Sequence, residues 1–182
     1  MIPFCYGYSK TRGHFQAMTE TKKPRRGRAL MIAAGCVLAA AIVLLNLFTY
    51  QFALVRYYGD GMEPTLENRE LLLLRRTSRV EEGDIVAFYY NNKLLVRRVV
   101  AVGGTQVTVE NDGTVVVNGA ALDEPYVAEK SAGQRSQEFP CFVPPDSYFV
   151  MGDNRAEAMD SRLKEIGTVP ADRILGKVLF AE

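Results

Sequence analysis

The most prominent pattern in the chain is a long apolar run near its start. Residues 29–55 contain no charged side chain, and the run exceeds the ~20 residues with which a helix crosses a bilayer core. A basic cluster at residues 22–28 precedes it directly. By the positive-inside rule this cluster keeps residues 1–28 in the cytoplasm. The pattern predicts a single-pass anchor in the cell membrane, with residues 56–182 on the outer side.

Two other interpretations of the apolar run remain open. The first is a cleaved signal peptide, although such peptides have a shorter apolar region and no clear small-x-small cleavage site precedes Tyr50. The second is a buried core helix, which would be apolar on every face in a domain too small to cover it. Length and flanking charge favour the anchor.

Beyond the anchor, short apolar runs alternate with turn residues. The runs are rich in Val, Leu, Phe and Tyr, and no window of about 11 residues shows a helical stripe. An Asp-Gly pair in residues 110–114 predicts a hairpin, and the polar residues 133–138 predict a mobile loop. The external domain is therefore predicted to be mainly β and antiparallel. The predicted strands are residues 71–74, 85–90, 94–102, 107–109, 115–117, 148–151 and 174–180.

Charge is distributed unevenly, although the net charge of the chain is only +1. Residues 1–28 hold seven Lys or Arg and one acid, whereas residues 56–182 hold fifteen basic and twenty acidic side chains. A net acidic domain outside the membrane is not expected to bind nucleic acid. Four arginines are interpreted as residues of solvated strand faces and not as a nucleic-acid surface; they are Arg69, Arg75, Arg76 and Arg79.

Cysteine and histidine exclude several kinds of site in the external domain. Cys141 is its one cysteine, because Cys5 lies in the tail and Cys36 in the apolar run, so no disulfide is expected. Cys141 has no basic neighbour in sequence and is interpreted as small apolar filler. His14 lies in the tail, which excludes a His-based triad or a zinc site in residues 56–182. We expect no metal and no cofactor.

Four short motifs follow the anchor. They are residues 59–66 (GDGMEPTL), 83–86 (GDIV), 96–100 (VRRVV) and 151–155 (MGDNR), the last running into residues 160–162 (DSR). In this order they resemble type I signal peptidases, whose motifs read G-D-S-M-x-P-T, G-D-I-V, K-R-V and G-D-N-R-x-x-S-x-D-S-R. Residues 117–119 and 124–126 also resemble the family. The likeness covers the anchor and nearly all of residues 56–182, and the single anchor resembles the Gram-positive form.

The resemblance implies a membrane-anchored serine endopeptidase that removes signal peptides at the outer face of the membrane. The family's nucleophile is a serine hydroxyl, its general base is a neutral lysine amine, and a second serine orients the lysine. Such a lysine works only where burial lowers its pKa toward neutrality. The substrate enters as an added β-strand, held by main-chain hydrogen bonds and apolar pockets.

The resemblance aligns three residues of other types with the family's catalytic positions. Gly61 stands at the nucleophile, Arg97 at the base and Ala158 at the orienting serine. Glycine has no side chain to attack with, and a guanidinium keeps its proton at working pH. We therefore expect no intact catalytic site. Lys93 is the nearest other base, four positions from Arg97, and the substitute nucleophiles considered are Thr65, Ser78, Ser131, Ser161 and Cys141.

Two further sets of residues follow from the motifs. Arg97 is expected either to be buried and paired with an acid such as Asp60 or Asp153, or to turn outward. The residues expected to line the substrate cleft are Asp60, Met62, Pro64 and Thr65. The residues expected to form a structural network of charges are Asp84, Arg98, Asp153, Arg155, Asp160 and Arg162.

The sequence as a whole predicts a signal peptidase-like membrane protein without the Ser/Lys dyad. We expect it to bind exported or pilin-like polypeptides as a non-catalytic assembly factor, with secretion or sortase machinery as possible partners. One alternative is an active signal peptidase that works through non-standard residues. Another is a scaffold that contacts other membrane proteins and leaves the cleft empty.

Overall fold

The structure, a computed structural model, describes residues 26–77 and 79–181 of the chain. Its one α-helix, α1, runs over Arg26–Gln51, and Ala29–Gln51 is long and apolar enough to cross a membrane. The expectations for the cytoplasmic tail, including Cys5 and His14, and for Ser78 lie outside the described residues. The chain divides between Ile42 and Val43 into two compact units, and the second contains every strand.

The helix ends earlier than the apolar run. Residues up to Val55 were predicted to belong to the anchor helix, but Phe52–Arg56 forms strand β1 and pairs antiparallel with Leu71–Arg75. Hydrophobicity alone does not distinguish the two conformations, because Phe, Leu and Val suit a strand as well as a membrane helix. The helix ends where pairing with Leu71–Arg75 begins, because this pairing supplies hydrogen-bond partners for the backbone groups of residues 52–56.

The larger of two antiparallel sheets has seven strands in the order β1-β2-β11-β3-β4-β9-β10. After β1, its members are β2 (Leu71–Arg75), β3 (Ile85–Tyr90), β4 (Lys93–Val102), β9 (Ser147–Met151), β10 (Val169–Pro170) and β11 (Ile174–Ala181). The smaller sheet has the order β7-β6-β5-β8. Its members are β5 (Gln106–Val109), β6 (Val115–Val117), β7 (Ala120–Ala121) and β8 (Cys141–Phe142).

The predicted strands all occur, each within about a residue of the predicted bounds, and the mainly antiparallel β fold is confirmed. The hairpin at residues 110–114 joins β5 to β6. The sequence missed β1 and the two-residue strands β7, β8 and β10, which are too short to show alternation. Residues 133–138 contain no helix or strand, but Arg135 donates to the Val109 carbonyl and the backbone of Ser136 and Gln137 to that of Arg162.

Half of β4 has a free edge. Residues 93–98 of β4 pair with β3 on one side, whereas β9 pairs with β4 on the other side from Arg98 onward. Within the described part of the chain, residues 93–97 therefore have strand neighbours on one side only. An extended peptide can add to such an edge through main-chain hydrogen bonds.

Candidate functional site

The first motif forms a turn that packs on the large sheet. Met62 and Leu66 are buried in a core cluster with Tyr57, Leu72 and Val96, and the Leu66 amide donates to the Met62 carbonyl at 3.0 Å. This packing fixes the backbone of Gly61, the residue immediately before Met62. Met62 was predicted to line the cleft, and this is wrong, because its side chain has no exposed surface and belongs to the core.

Gly61 and Arg97 lie next to each other. A Cβ atom built on Gly61 would lie 3.0 Å from Nη2 of Arg97 and 3.2 Å from both Cζ and Nη1. Real Cβ atoms rarely have contacts this short. The guanidinium therefore occupies the space beside residue 61. The fold thus brings together two residues that are far apart in sequence and that the motifs predict to correspond to the family's nucleophile and base.

The Arg97 side chain is buried and held by carbonyl oxygens. It is 5% exposed, its Nε donates to the Met159 carbonyl at 2.8 Å, and Nη1 donates to the Val96 carbonyl at 2.6 Å. The outward orientation is therefore excluded. Among the described residues Arg97 makes no ion pair, so it does not pair directly with Asp60 or Asp153. Burial lowers the pKa of Arg97 while the Asp160 carboxylate raises it, and an arginine remains protonated at neutral pH.

Tyr57 adds a polar group to the same place. It is 2% exposed, and burial raises the pKa of its hydroxyl, although the charge of Arg97 and the Met62 backbone act in the opposite direction. The Tyr57 hydroxyl lies close enough to Arg97 to interact with its guanidinium. No neighbour, however, meets the distance and angle limits of a hydrogen bond with Tyr57 Oη, so this buried hydroxyl has no hydrogen bond of normal geometry.

The fourth motif closes over the first through Gly152. A Cβ on Gly152 would be 2.2 Å from Cβ of Ala158 and 2.3 Å from the Gly61 carbonyl oxygen, so only glycine fits. Asn154 ties the two motifs together, because its amide donates to the Gly61 carbonyl at 3.2 Å and its side chain to the Asp60 carbonyl at 3.0 Å. Ala158 is 4% exposed. The three positions predicted to correspond to the family's catalytic residues therefore lie close together.

Beside this place lies a charged cluster built on Asp153. Arg98 donates to both carboxylate oxygens of Asp153, at 2.9 and 2.6 Å, and the Thr65 hydroxyl donates to Oδ2 at 2.6 Å. The guanidinium also lies 4.0 Å from the ring centroid of Tyr126. Arg98 and Asp153, both predicted members of a structural network, contact each other, and Thr65 is exposed at the edge of their contact.

The remaining predicted network residues form ion pairs, and Tyr126 links two of the pairs because its ring contacts Arg98 and its hydroxyl donates to Glu124. Asp160 and Arg162 pair through two 2.8 Å hydrogen bonds, and Asp160 also accepts from the Gly152 amide. Arg155 pairs with Glu124, and both side chains are fully buried. Asp84 pairs with Lys177 at 2.5 Å. Glu124 and Lys177 were missed as partners because the sequence does not show which distant strand or loop supplies the opposite charge.

The substitute nucleophiles that the structure describes are committed to other contacts. The Ser161 hydroxyl accepts from the Val150 amide, and the Ser131 hydroxyl accepts from the Gly133 amide. Cys141 is buried, and burial raises the pKa of its thiol, which disfavours the reactive thiolate. Lys93 is exposed. Within the described ranges, no hydrogen bond joins a lysine ammonium to a serine or threonine hydroxyl.

Two other features bear on ligands. An open cavity of about 360 Å³ lies beside the first motif and is lined by residues that include Pro64, Glu63, Glu129 and Asn154, but neither Gly61 nor Arg97 lines it. Asp60 is exposed. Among the described residues, no group of three or more His, Cys, Asp and Glu side chains is arranged to hold a metal ion.

Comparison with known proteins gives a consistent result. The family model described as signal peptidase, peptidase S26, matches residues 29–181. A signal peptidase I of Bacillus amyloliquefaciens is 34% identical over 89% of this chain and 92% of its own length. Signal peptidase I S of Bacillus subtilis is 33% identical over 84% and 89%.

A solved structure of a signal peptidase I from Enterococcus faecalis aligns with 56% of this chain and 97% of its own, at 29% identity and a TM-score of 0.48. The family model spans α1 and the strands that carry the motifs, and the relatives match over most of their length. The chain therefore belongs to the signal peptidase family, peptidase S26.

Proposed function

We propose that this family member binds an extended segment of an exported polypeptide at the outer face of the cell membrane and does not cleave it. The observation that carries the proposal is the contact between Gly61 and Arg97. The position aligned with the nucleophile has no side chain, and the space beside it holds a guanidinium in place of an amine. A permanently protonated group cannot accept a proton from a hydroxyl or from water.

The binding part of the proposal rests on the free edge of β4. Residues 93–97 have a strand partner on one side only, and this edge leads directly to Arg97. Strand addition uses the backbone for affinity and needs no nucleophile. Binding of a client can therefore persist in a protein in which cleavage is lost.

The place of this function in the cell is a further part of the proposal. We infer a single-pass protein with residues 1–28 in the cytoplasm and the β domain outside, which acts as an assembly factor for exported or pilin-like polypeptides beside secretion or sortase machinery. The helix Ala29–Gln51 supports the anchor. The basic residues that precede it in sequence support the orientation.

Incubation with a secretory precursor tests whether cleavage occurs. Purified full-length protein in detergent is mixed with a labelled precursor, and a signal peptidase I relative with an intact Ser/Lys pair serves as the positive control. We expect the precursor to co-purify with this protein uncut while the relative processes it. Time-dependent cleavage by the purified protein at a small-x-small site would refute the proposal.

Photocrosslinking tests where the client binds. A photoreactive residue replaces exposed Lys93 on the free edge, and the matched control carries it at exposed Arg173, outside β4. We expect adducts with exported polypeptides from position 93 and few from position 173. Adducts with membrane proteins alone would favour the scaffold interpretation instead.

The relatives favour a second candidate, an active signal peptidase, because those compared above are named signal peptidase I. This function would require a nucleophile and base other than the residues aligned with them. The precursor experiment separates the two candidates, since only the active enzyme releases a shortened product.

A further inference from the structure

Arg97 is a buried cation without an ion-pair partner. The ion pairs of the described residues involve Arg98, Arg155, Arg162 and Lys177, and Asp160, the acid that most affects Arg97, is already paired with Arg162. Arg97 instead donates to two neutral carbonyl oxygens while 95% of its surface is buried. Removing a cation from water is costly unless an opposite charge compensates it.

Hydrogen-bonding capacity also remains unused at this position. Nε and Nη1 of Arg97 have acceptors, whereas Nη2, the atom nearest to the Cβ position of Gly61, makes no hydrogen bond to a described residue. The Tyr57 hydroxyl beside it is also buried. The two groups interact with each other, but neither Nη2 nor the Tyr57 hydroxyl makes a hydrogen bond of normal geometry, which is rare for buried polar groups unless a ligand completes the site.

We propose that Arg97 makes the position beside Gly61 a binding site for a carboxylate of an extended polypeptide. This inference rests on the proposed function, because it assumes that the free edge of β4 holds a peptide. A carboxylate is favoured over an internal peptide carbonyl because it brings the missing negative charge as well as an acceptor, and arginine bonds to carboxylates are among the strongest in proteins.

Two parts of a peptide can supply this carboxylate. The C-terminal carboxylate is the source if the added strand runs parallel to β4, because its C-terminus then lies at Arg97. A free C-terminus would make the ligand a polypeptide that has already been cut, or the natural end of a chain. An internal Asp or Glu side chain is the other source, and the experiment distinguishes the two.

Three synthetic peptides test the inference on the unaltered protein. Each is a ten-residue apolar peptide ending in Ala-Leu-Ala; one has a free C-terminal acid, one a C-terminal amide, and one the amide with Asp in place of its final Ala. Calorimetry measures their affinities for the full-length protein in detergent. We expect the peptide acid to bind at least about 10-fold more tightly than the amide, because it can form a charge-assisted hydrogen bond with a desolvated arginine.

Variants locate the effect at Arg97. Arg97→Gln keeps a hydrogen-bond donor but removes the charge, and we expect it to bind acid and amide equally. Arg173→Gln is the matched control, because it removes one positive charge from an exposed residue outside β4. Arg173→Gln should retain the preference for the acid, and loss of the preference in both variants would indicate long-range charge and overturn the site.

The outcomes separate this inference from the function on which it rests. Carboxylate binding is supported if the acid or the Asp peptide binds more tightly than the plain amide and this difference in affinity disappears in Arg97→Gln. The peptide that binds more tightly then identifies the source of the carboxylate. Equal affinity for all three peptides, or no binding of any, overturns carboxylate binding. If the precursor is nevertheless held uncut, the proposed function survives that failure, whereas cleavage of the precursor refutes the function itself.

Discussion

The guanidinium of Arg97 lies against the position that a side chain of residue 61 would occupy, with Nη2 3.0 Å from the Cβ site of Gly61. The two residues are therefore coupled in space as well as in chemistry. A hydroxyl at residue 61 would meet a cation that blocks it and cannot take its proton. A change at one of the two positions leaves the other obstacle in place.

Gly61→Ser alone is expected to remain inactive. The new Cβ requires Arg97 to shift by a few tenths of an ångström, and the group beside the new hydroxyl is a protonated guanidinium, which cannot accept its proton. Cleavage of a secretory precursor by the purified variant is the measurement. Activity in this single variant would show that another residue serves as the base.

The triple variant Gly61→Ser, Arg97→Lys, Ala158→Ser is expected to recover measurable cleavage. It supplies a nucleophile, a buried amine and an orienting hydroxyl at three positions that the fold brings together around Gly152. Gly61→Ser with Ala158→Ser but with Arg97 unchanged is the matched control and should stay inactive. Equal activity of the control and the triple variant would contradict the assignment of residue 97 as the base position.

Gly152→Ala should destabilise the β domain. Its Cβ would be 2.2 Å from Cβ of Ala158 and 2.3 Å from the Gly61 oxygen, and overpacking of this kind costs about 1–3 kcal/mol. Urea unfolding followed by circular dichroism measures the change in the free energy of unfolding. Ala156→Ser adds one atom to an exposed residue of the same loop and is the control. An unchanged midpoint for Gly152→Ala would show that the two motifs are less closely packed.

Glu124→Gln should be strongly destabilising. Arg155 and Glu124 are both fully buried, and removal of one partner from such a pair leaves an uncompensated charge at a cost of about 3–5 kcal/mol. Urea unfolding measures the loss. The double variant Arg155→Met, Glu124→Leu should recover much of it, since an apolar pair carries no buried charge. A double variant no more stable than Glu124→Gln would refute this explanation.

Stability should fall as the pH rises above about 10, partly because of Tyr126. Burial, followed by the charge of Glu124, raises the pKa of the Tyr126 hydroxyl in the folded protein. A group whose pKa is raised by folding stabilises the native state below its unfolded pKa, and this contribution is lost as the pH increases through the folded pKa. Tyr126→Phe should therefore make the decline less steep, as measured by urea unfolding between about pH 9 and pH 11. Tyr58→Phe, at an exposed tyrosine, should not change the slope.

The local patterns of the sequence predicted much of the fold. Short apolar runs rich in Val, Leu, Phe and Tyr identified β3, β4 and β6 with nearly correct bounds, because clear turn residues separate the runs. The apolar run identified α1 but not its end. Residues 52–55 suit a helix in lipid and a strand in water equally well, and only their pairing with β2 selects the strand.

Sequence by itself determined the kinds of side chain at the site: a glycine at residue 61, an arginine at residue 97 and an alanine at residue 158. Tertiary structure decided how they meet. It buried Arg97 on carbonyl oxygens rather than on Asp60 or Asp153, placed Met62 in the core and gave Arg155 its partner Glu124. Such contacts depend on which strands become neighbours and how closely their backbones approach, and no local pattern of residues encodes those distances.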